Sequence, residues 1–156
     1  MAVKNRAMIR ADILKRIRPS EDERVKWTRV VDDFLLKLNN SLVGAEAIVG
    51  GSGAKDTWLS GNADIDVFVR YDSSFSGRSG ELADLLEKVL AKAFVGSKKE
   101  RVHGSRDYFR FEYKKLFFEV VPILKISNAG DAVNITDVSP LHTKWVNKNG
   151  EGLKDE

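Results

Sequence analysis

The stretch Ala45-Glu46-Ala47-Ile48-Val49-Gly50-Gly51-Ser52, followed after eleven residues by Asp64-Ile65-Asp66-Val67-Phe68-Val69, decides how this chain is read. The first half is a short apolar segment that ends in glycine, the pattern of a buried strand running into a turn. The second half is rich in β-branched and aromatic residues, a second strand. Ala54 to Leu59, between them, reads as a helical turn or two. In a strand, residues two apart face the same way, about 6.5–7 Å apart. Asp64 and Asp66 therefore form a pair of like charges on an otherwise apolar strand. Such a pair is costly unless it is wet or a divalent cation lies between the two. Hard carboxylate oxygens of this kind suit Mg²⁺.

A third acid stands in Leu116-Phe117-Phe118-Glu119-Val120-Val121-Pro122. Alternation puts Glu119 on one face with Phe117 and Val121, opposite Phe118 and Val120. A lone charge in so apolar a strand needs a partner or a task. If this strand lies beside that of Asp64, three carboxylates converge, enough for two metal ions. The Gly-Gly-Ser turn adds an anion site. Glycine lets backbone N–H groups approach a phosphate, and a helix start contributes donors and dipole. Gly51, Ser52 and Lys55 are the candidates there. The G-x-x-x-x-G-K-[ST] spacing of a Walker loop is absent. A D-x-D pair taken singly is equally well an exposed strand edge, and a Gly-Gly-Ser turn taken singly is more often only a turn.

Outward from this centre, Ser20 and Glu23 form a capping box, followed by Trp27, Val30, Val31, Phe34, Leu35 and Leu38 at helical spacing. A shorter helix is expected over residues 7–16. Leu82, Leu85, Leu86, Val89, Leu90, Ala93 and Phe94 form a second apolar stripe. Asp72 to Gly80 and Asn128 to Asp131 read as loops. Residues 101–103, 108–113 and 116–124 read as strands, with Lys114-Lys115 as a hairpin connection. Ser139-Pro140 starts a helix with Pro140 in its first position. The order α, α, β, α, β, α, then strands, then α, predicts an α/β (α+β) domain whose mixed sheet is flanked by helices.

The composition bounds the rest. The chain has 156 residues, 42% of them apolar and 31% charged, and a net charge of +3, which permits an RNA partner without arguing for one. It has no cysteine, which excludes disulfides, thiol catalysis and cysteine-ligated metals and fits a cytoplasmic setting. No run approaches the about 20 apolar residues of a membrane span, and the basic N-terminus lacks an apolar signal core. His103 has no motif behind it. Trp58 and Trp145 read as core residues, and the lysines at 98–99, 114–115 and 144–148 as solvated charge.

Gly50-Gly51-Ser52 with Asp64-Ile65-Asp66 resembles the signature of polymerase-beta-like nucleotidyltransferases. Further motifs narrow the resemblance to the catalytic domain of archaeal-type (class I) CCA-adding tRNA nucleotidyltransferases. These are Ile17-Arg18-Pro19-Ser20, the run Gly51 to Leu59, Asp64 to Phe68, Glu119-Val120-Val121-Pro122, and Ser139-Pro140-Leu141-His142-Thr143-Lys144-Trp145-Val146. The likeness runs from about Leu14 to the end. It implies that Asp64, Asp66 and Glu119 are catalytic and ligate two Mg²⁺ ions, with Mn²⁺ as an alternative. It implies that Gly51, Ser52, Lys55, Ser139 and His142 bind the nucleotide. ATP and CTP would be the donors and a tRNA 3′ end the acceptor, with pyrophosphate released.

Three departures stand out. The third carboxylate is usually Asp in this family, Lys55 often Arg, and members are far longer, with further domains that hold the tRNA. Residues 1–138 read as the catalytic domain and 139–156 as the start of the following helical segment. Two alternatives stay open. One is a minimal nucleotidyltransferase that modifies a protein or small-molecule hydroxyl. The other is a half-enzyme or binding module completed by a second chain that carries the tRNA-binding domains.

Overall fold

A computed structural model describes residues 6–61 and 64–150. Two helices lead, α1 (Arg6–Ile17) and α2 (Glu21–Asn39), followed by β1 (Ala45–Val49), the short α3 (Gly51–Lys55) and β2 (Asp64–Tyr71). A 3₁₀ segment (Ser73–Glu81) runs into α4 (Leu82–Ala93), then come β3 (Glu100–Val102), β4 (Tyr108–Tyr113) and β5 (Leu116–Leu124). Two further 3₁₀ turns, Ala129–Asp131 and Ile135–Val138, lead to α5 (Ser139–Asn149). The element order is the expected one, and the mixed α/β class holds.

The five strands form one sheet in the order β1-β2-β5-β4-β3. Only β2 and β5 are parallel; the remaining neighbours are antiparallel. A parallel pair needs a long crossover, and here everything from the first 3₁₀ segment to β4 lies between the two strands. Alternation then sorts side chains by face. Ile65, Val67 and Val69 of β2, Phe118 and Val120 of β5, and Phe109 and Phe111 of β4 are buried. Against them pack Val31, Phe34 and Leu38 of α2 and Leu82, Leu86 and Leu90 of α4. Phe34 is the centre of this layer, its ring stacked on Phe118 at 3.9 Å and on Phe94 at 4.5 Å. The apolar stripes of α2 and α4 thus cover one sheet face. The other face carries Asp64, Asp66, Phe117, Glu119 and Arg110.

Several local expectations shift. The helix after β1 starts at Gly51 itself and ends at Lys55, where Asp56 takes the left-handed conformation (φ 54°), so Thr57 to Leu59 is not helical. Residues 73–81, broken at Arg78, and 129–131 wind as 3₁₀ turns, the short form common in connectors. Ser139 opens α5, and Pro140 falls one place later than expected. Trp58 is buried, but Trp145 is 64% exposed and belongs to no core. Residues 153–156, read as the beginning of a further helix, lie outside the described residues. Lys114 and Lys115 do make the β4–β5 hairpin, both at positive φ (48° and 66°), the geometry of a two-residue primed turn.

Among the described residues, no helix is long and apolar enough to cross a membrane.

Candidate active site

The parallel register of β2 and β5 sets Asp66 directly beside Glu119 and Asp64 beside Phe117. The three acids that sequence singled out therefore occupy adjacent strands on the open sheet face. Their electrostatics follow from that placement. Burial, then repulsion from Asp64, raises the Asp66 carboxyl above its ordinary range, and Lys55 opposes the shift. Glu119 is also raised, first by burial; Arg110 pulls it down, and Asp66 and Asp64 push it up.

Arg110 was not among the expected site residues. It is the β4 partner of Glu119 in the antiparallel register. Its Nε lies 3.1 Å from Glu119 Oε1 and its Nη2 lies 3.7 Å from Asp64 Oδ2. Among the described residues no group of three or more Asp, Glu, His or Cys side chains is arranged to hold a metal ion. A guanidinium stands among the acids instead, a cation where like charges demand one.

The Gly-Gly turn is fitted to Asp66. Gly50 donates its N–H to the Asp66 carbonyl (2.8 Å), which fixes the end of β1 against β2. Gly51 has φ +51°, and a Cβ placed on it would lie 1.6 Å from Asp66 Oδ2. Both the conformation and the space exclude any other residue. The first N–H groups of α3 lack partners within the helix, and Gly51 presents that end to a cleft of about 370 Å³. Gly51, Lys55, Asp66, Ser139 and His142 all line this cleft, with Phe68, Ile135 and Val138 as its apolar wall. Ser52 lies in the same turn but is not among the lining residues. Asp64 and Glu119 also stand outside the cleft proper, Glu119 beside Asp66 on the neighbouring strand and Asp64 two residues before it on β2.

Ser139 and His142 reach the cleft because α5 is tied down at two points. Asn147 Nδ2 donates to the Ala54 carbonyl at the far end of α3 (3.0 Å). The 3₁₀ turn before α5 is anchored by Asp137, which is 1% exposed. Asp137 accepts from the Arg106 guanidinium and from the N–H groups of Leu124 (2.9 Å), Val133 (3.1 Å) and Asn134 (2.9 Å). Arg106 also donates to Ser79 Oγ (2.7 Å) and the Pro122 carbonyl (3.2 Å). His103 is exposed, with its Nδ1 3.0 Å from Asp107 Oδ1.

Gly51→Ala is the direct check on this fit. The added methyl must displace Asp66 and strain the backbone by about 1–3 kcal/mol. Affinity for ATP or CTP is expected to fall about tenfold or more in calorimetry, the equivalent of 1.4 kcal/mol, while circular dichroism stays native.

Comparison with known proteins fits this geometry. A family model described as a nucleotidyltransferase domain matches residues 30–129. The chain is 36% identical to the CCA-adding enzyme of Nanoarchaeum equitans over 138 residues, which cover 88% of this chain and 34% of that protein. It is 32% identical to the CCA-adding enzyme of Sulfolobus acidocaldarius, over 92% of this chain and 33% of the relative. The chain thus spans about a third of the length of the curated relatives it matches. Among solved structures, a Cid1 poly(U) polymerase with MgGTP bound superposes with a TM-score of 0.66 at 17% identity, covering 99% of this chain and 46% of that one. A cytoplasmic RNA terminal U-transferase gives a TM-score of 0.58 at 18% identity, over 94% of this chain and 41% of its own. With its Gly-Gly-Ser turn, its Asp64–Asp66 pair and its mixed sheet inside the matched span, this chain belongs to the nucleotidyltransferase domain family.

Proposed function

We propose that this chain is the catalytic domain of a CCA-adding tRNA nucleotidyltransferase, transferring CMP and AMP from CTP and ATP to a tRNA 3′ end. The observation that carries the reading is the cleft itself. Gly51, Lys55, Asp66, Ser139 and His142 come from three separate elements, α3, β2 and α5, and converge on one concave site beside two further carboxylates. The names of the relatives point the same way. The alternative of a protein or small-molecule acceptor has no observation in its favour.

In this reading the triphosphate lies in the cleft. The open N–H end of α3 and the Lys55 ammonium take its phosphate oxygens, and Ser139 and His142 approach from α5. Lys55 is a point charge, so it does not make the bidentate contact an arginine would. Asp64, Asp66 and Glu119 would hold the Mg²⁺ ions. The donor chemistry fits, hard oxygens only and on one sheet face. The three are not gathered around an ion as they stand, and the Arg110 guanidinium, paired with Asp64 and Glu119, would have to give way to one. Bound metal would supply charge neutralisation at the reacting phosphate and a more acidic acceptor hydroxyl. The longer Glu119 side chain places its oxygens about an ångström further out than an aspartate would. Mn²⁺ is accordingly expected to support activity at least as well as Mg²⁺. The protein's own contribution is positioning: a sheet that fixes the acids and a turn that fixes the phosphates.

Residues 1–138 form the catalytic unit in this reading. The helix from Ser139 opens the segment that follows while still lending Ser139 and His142 to the cleft. The tRNA-gripping parts would lie elsewhere, in further sequence or on a second chain.

The test is extension of tRNA transcripts that end at the discriminator base, at the first C or at the second C, with labelled CTP or ATP. Ordered incorporation of C, C and A, abolished in Asp64→Ala, is expected. Incorporation that survives Asp64→Ala would refute the assignment of the acids, and transfer to a protein instead would refute the acceptor.

A further inference from the structure

One residue of the open sheet face is unused by this chemistry. Phe117 stands beside Asp64 in the β2–β5 register and is 50% exposed. The next residue, Phe118, is fully buried in the core. A singly exposed aromatic ring is ordinary by itself; what sets Phe117 apart is its place beside Asp64 and on the wall of two grooves.

Two grooves open from it. One, of about 570 Å³, is lined by Asp64 and Phe117 with Lys98, Glu100, Arg110 and Glu112. The other, of about 450 Å³, is lined by Asp64 and Phe117 with Trp27, Trp58, Lys26 and Lys115. Neither shares a lining residue with the nucleotide cleft, which holds Asp66. The carboxylate row therefore divides two territories. In phosphoryl transfer the attacking and leaving oxygens lie roughly in line. With the triphosphate on the Asp66 side, the acceptor enters from the Asp64–Phe117 side.

Charge decides between the grooves. The larger carries Glu100 and Glu112 in addition to Asp64, an unfavourable path for phosphates. In the other, Lys26 and Lys115 are exposed and have no carboxylate partner among the described residues. Its further acid, Glu23, is already engaged by the Ser20 N–H (2.8 Å) and the Ser60 hydroxyl (2.7 Å). We propose that Phe117 is the stacking platform for the 3′-terminal base of a single-stranded RNA acceptor, whose preceding phosphates run past Lys115 and Lys26. This rests on reading the chain as an RNA nucleotidyltransferase. Base–aromatic stacking tolerates any base, which suits an acceptor end that changes as it grows.

The test uses the full chain and a 12-nucleotide RNA with 2-aminopurine at its 3′ end and fluorescein at its 5′ end. Binding is read by anisotropy and stacking by quenching of 2-aminopurine. The wild-type chain is expected to quench a terminal 2-aminopurine and not one placed near the 5′ end. Phe117→Ala, verified as folded by thermal melting, is expected to lose the quench and bind about tenfold more weakly. Phe117→Tyr is expected to restore both. Lys26→Glu with Lys115→Glu is expected to weaken binding and flatten its salt dependence by about one unit of log–log slope per lysine. Lys98→Glu is expected to change neither.

A quench that persists in Phe117→Ala overturns the proposal. So does Lys98→Glu matching the double lysine variant, which would move the strand to the other groove. An RNA that fails to bind a chain that still binds ATP in Mg²⁺ overturns it too, and leaves the nucleotide site standing. Loss of ATP binding as well would instead remove the reading on which the proposal rests.

Discussion

Replacing Asp66 by Asn is expected to cut nucleotidyl transfer by about 10³-fold or more and, in the same protein, to raise the melting temperature in EDTA. The first effect is the scale set by losing a preorganised charge at a reacting phosphate. The second follows from the electrostatics of the row. Asp66 is raised by burial and by the Asp64 charge, with Lys55 opposing. A carboxyl whose folded pKa lies above its unfolded value binds its proton more tightly when folded. Stability therefore falls as pH rises through that window, and the ionised group destabilises the fold at neutral pH. Asparagine has the same shape and no charge, so it removes that cost. The gain should be fully present at pH 7 and vanish below about pH 3.5, under the ordinary Asp value. For a domain of this size each kcal/mol moves the midpoint by about 2–4 °C. A melting series of Asp66→Asn against wild type from pH 3.5 to 7.5 in EDTA reads it. An Asn variant less stable than wild type at pH 7 would show that Asp66 serves the fold rather than the reaction.

The opposite is expected at the Arg106–Asp137 pair, 8% and 1% exposed. Removing one partner leaves the other charge buried and unpaired, at about 3–5 kcal/mol. Asp137→Ala also strips the acceptor from the N–H groups of Leu124, Val133 and Asn134. A loss on the order of 10 °C in melting temperature is expected for Asp137→Ala and for Arg106→Ala. Because Asp137 anchors the turn that leads into α5, Asp137→Ala should also weaken nucleotide binding through Ser139 and His142. A double replacement of both residues should cost less than the two single effects added, since neither charge is then orphaned. Additive losses would mean that the two groups act separately.

Much of this molecule was legible before its structure. The stripe Val31, Phe34, Leu38 and the stripe Leu82, Leu86, Leu90 marked helices that cover a sheet, and they do. The alternation around Glu119 set that acid opposite Phe118 and Val120, and the structure buries those two and leaves Glu119 on the other face. What sequence could not supply was the parallel register that sets Asp66 beside Glu119, because no local signal links strands so far apart. Ser139 and His142 were reachable only through the family resemblance. Their place in the cleft depends on Asp137 and Asn147, whose partners are distant in the chain.

Arg110 is a different kind of omission. In Tyr108-Phe109-Arg110-Phe111-Glu112-Tyr113 it looks like one more solvated residue of an alternating strand. A two-residue connection at Lys114-Lys115 nevertheless pairs Tyr113 with Leu116 and, counting back, Arg110 with Glu119. The signal was present in the hairpin length. Trp145 failed for the ordinary reason that a large aromatic residue on a helix does not reveal which face it occupies.

The most direct measurement is a calorimetric titration of ATP and CTP into the full chain in Mg²⁺ and in EDTA, repeated with Asp66→Ala. Binding that requires both the metal and Asp66 is the expected result and would establish the cleft as a metal-assisted triphosphate site. Equal binding in EDTA, or unchanged binding in Asp66→Ala, would contradict it.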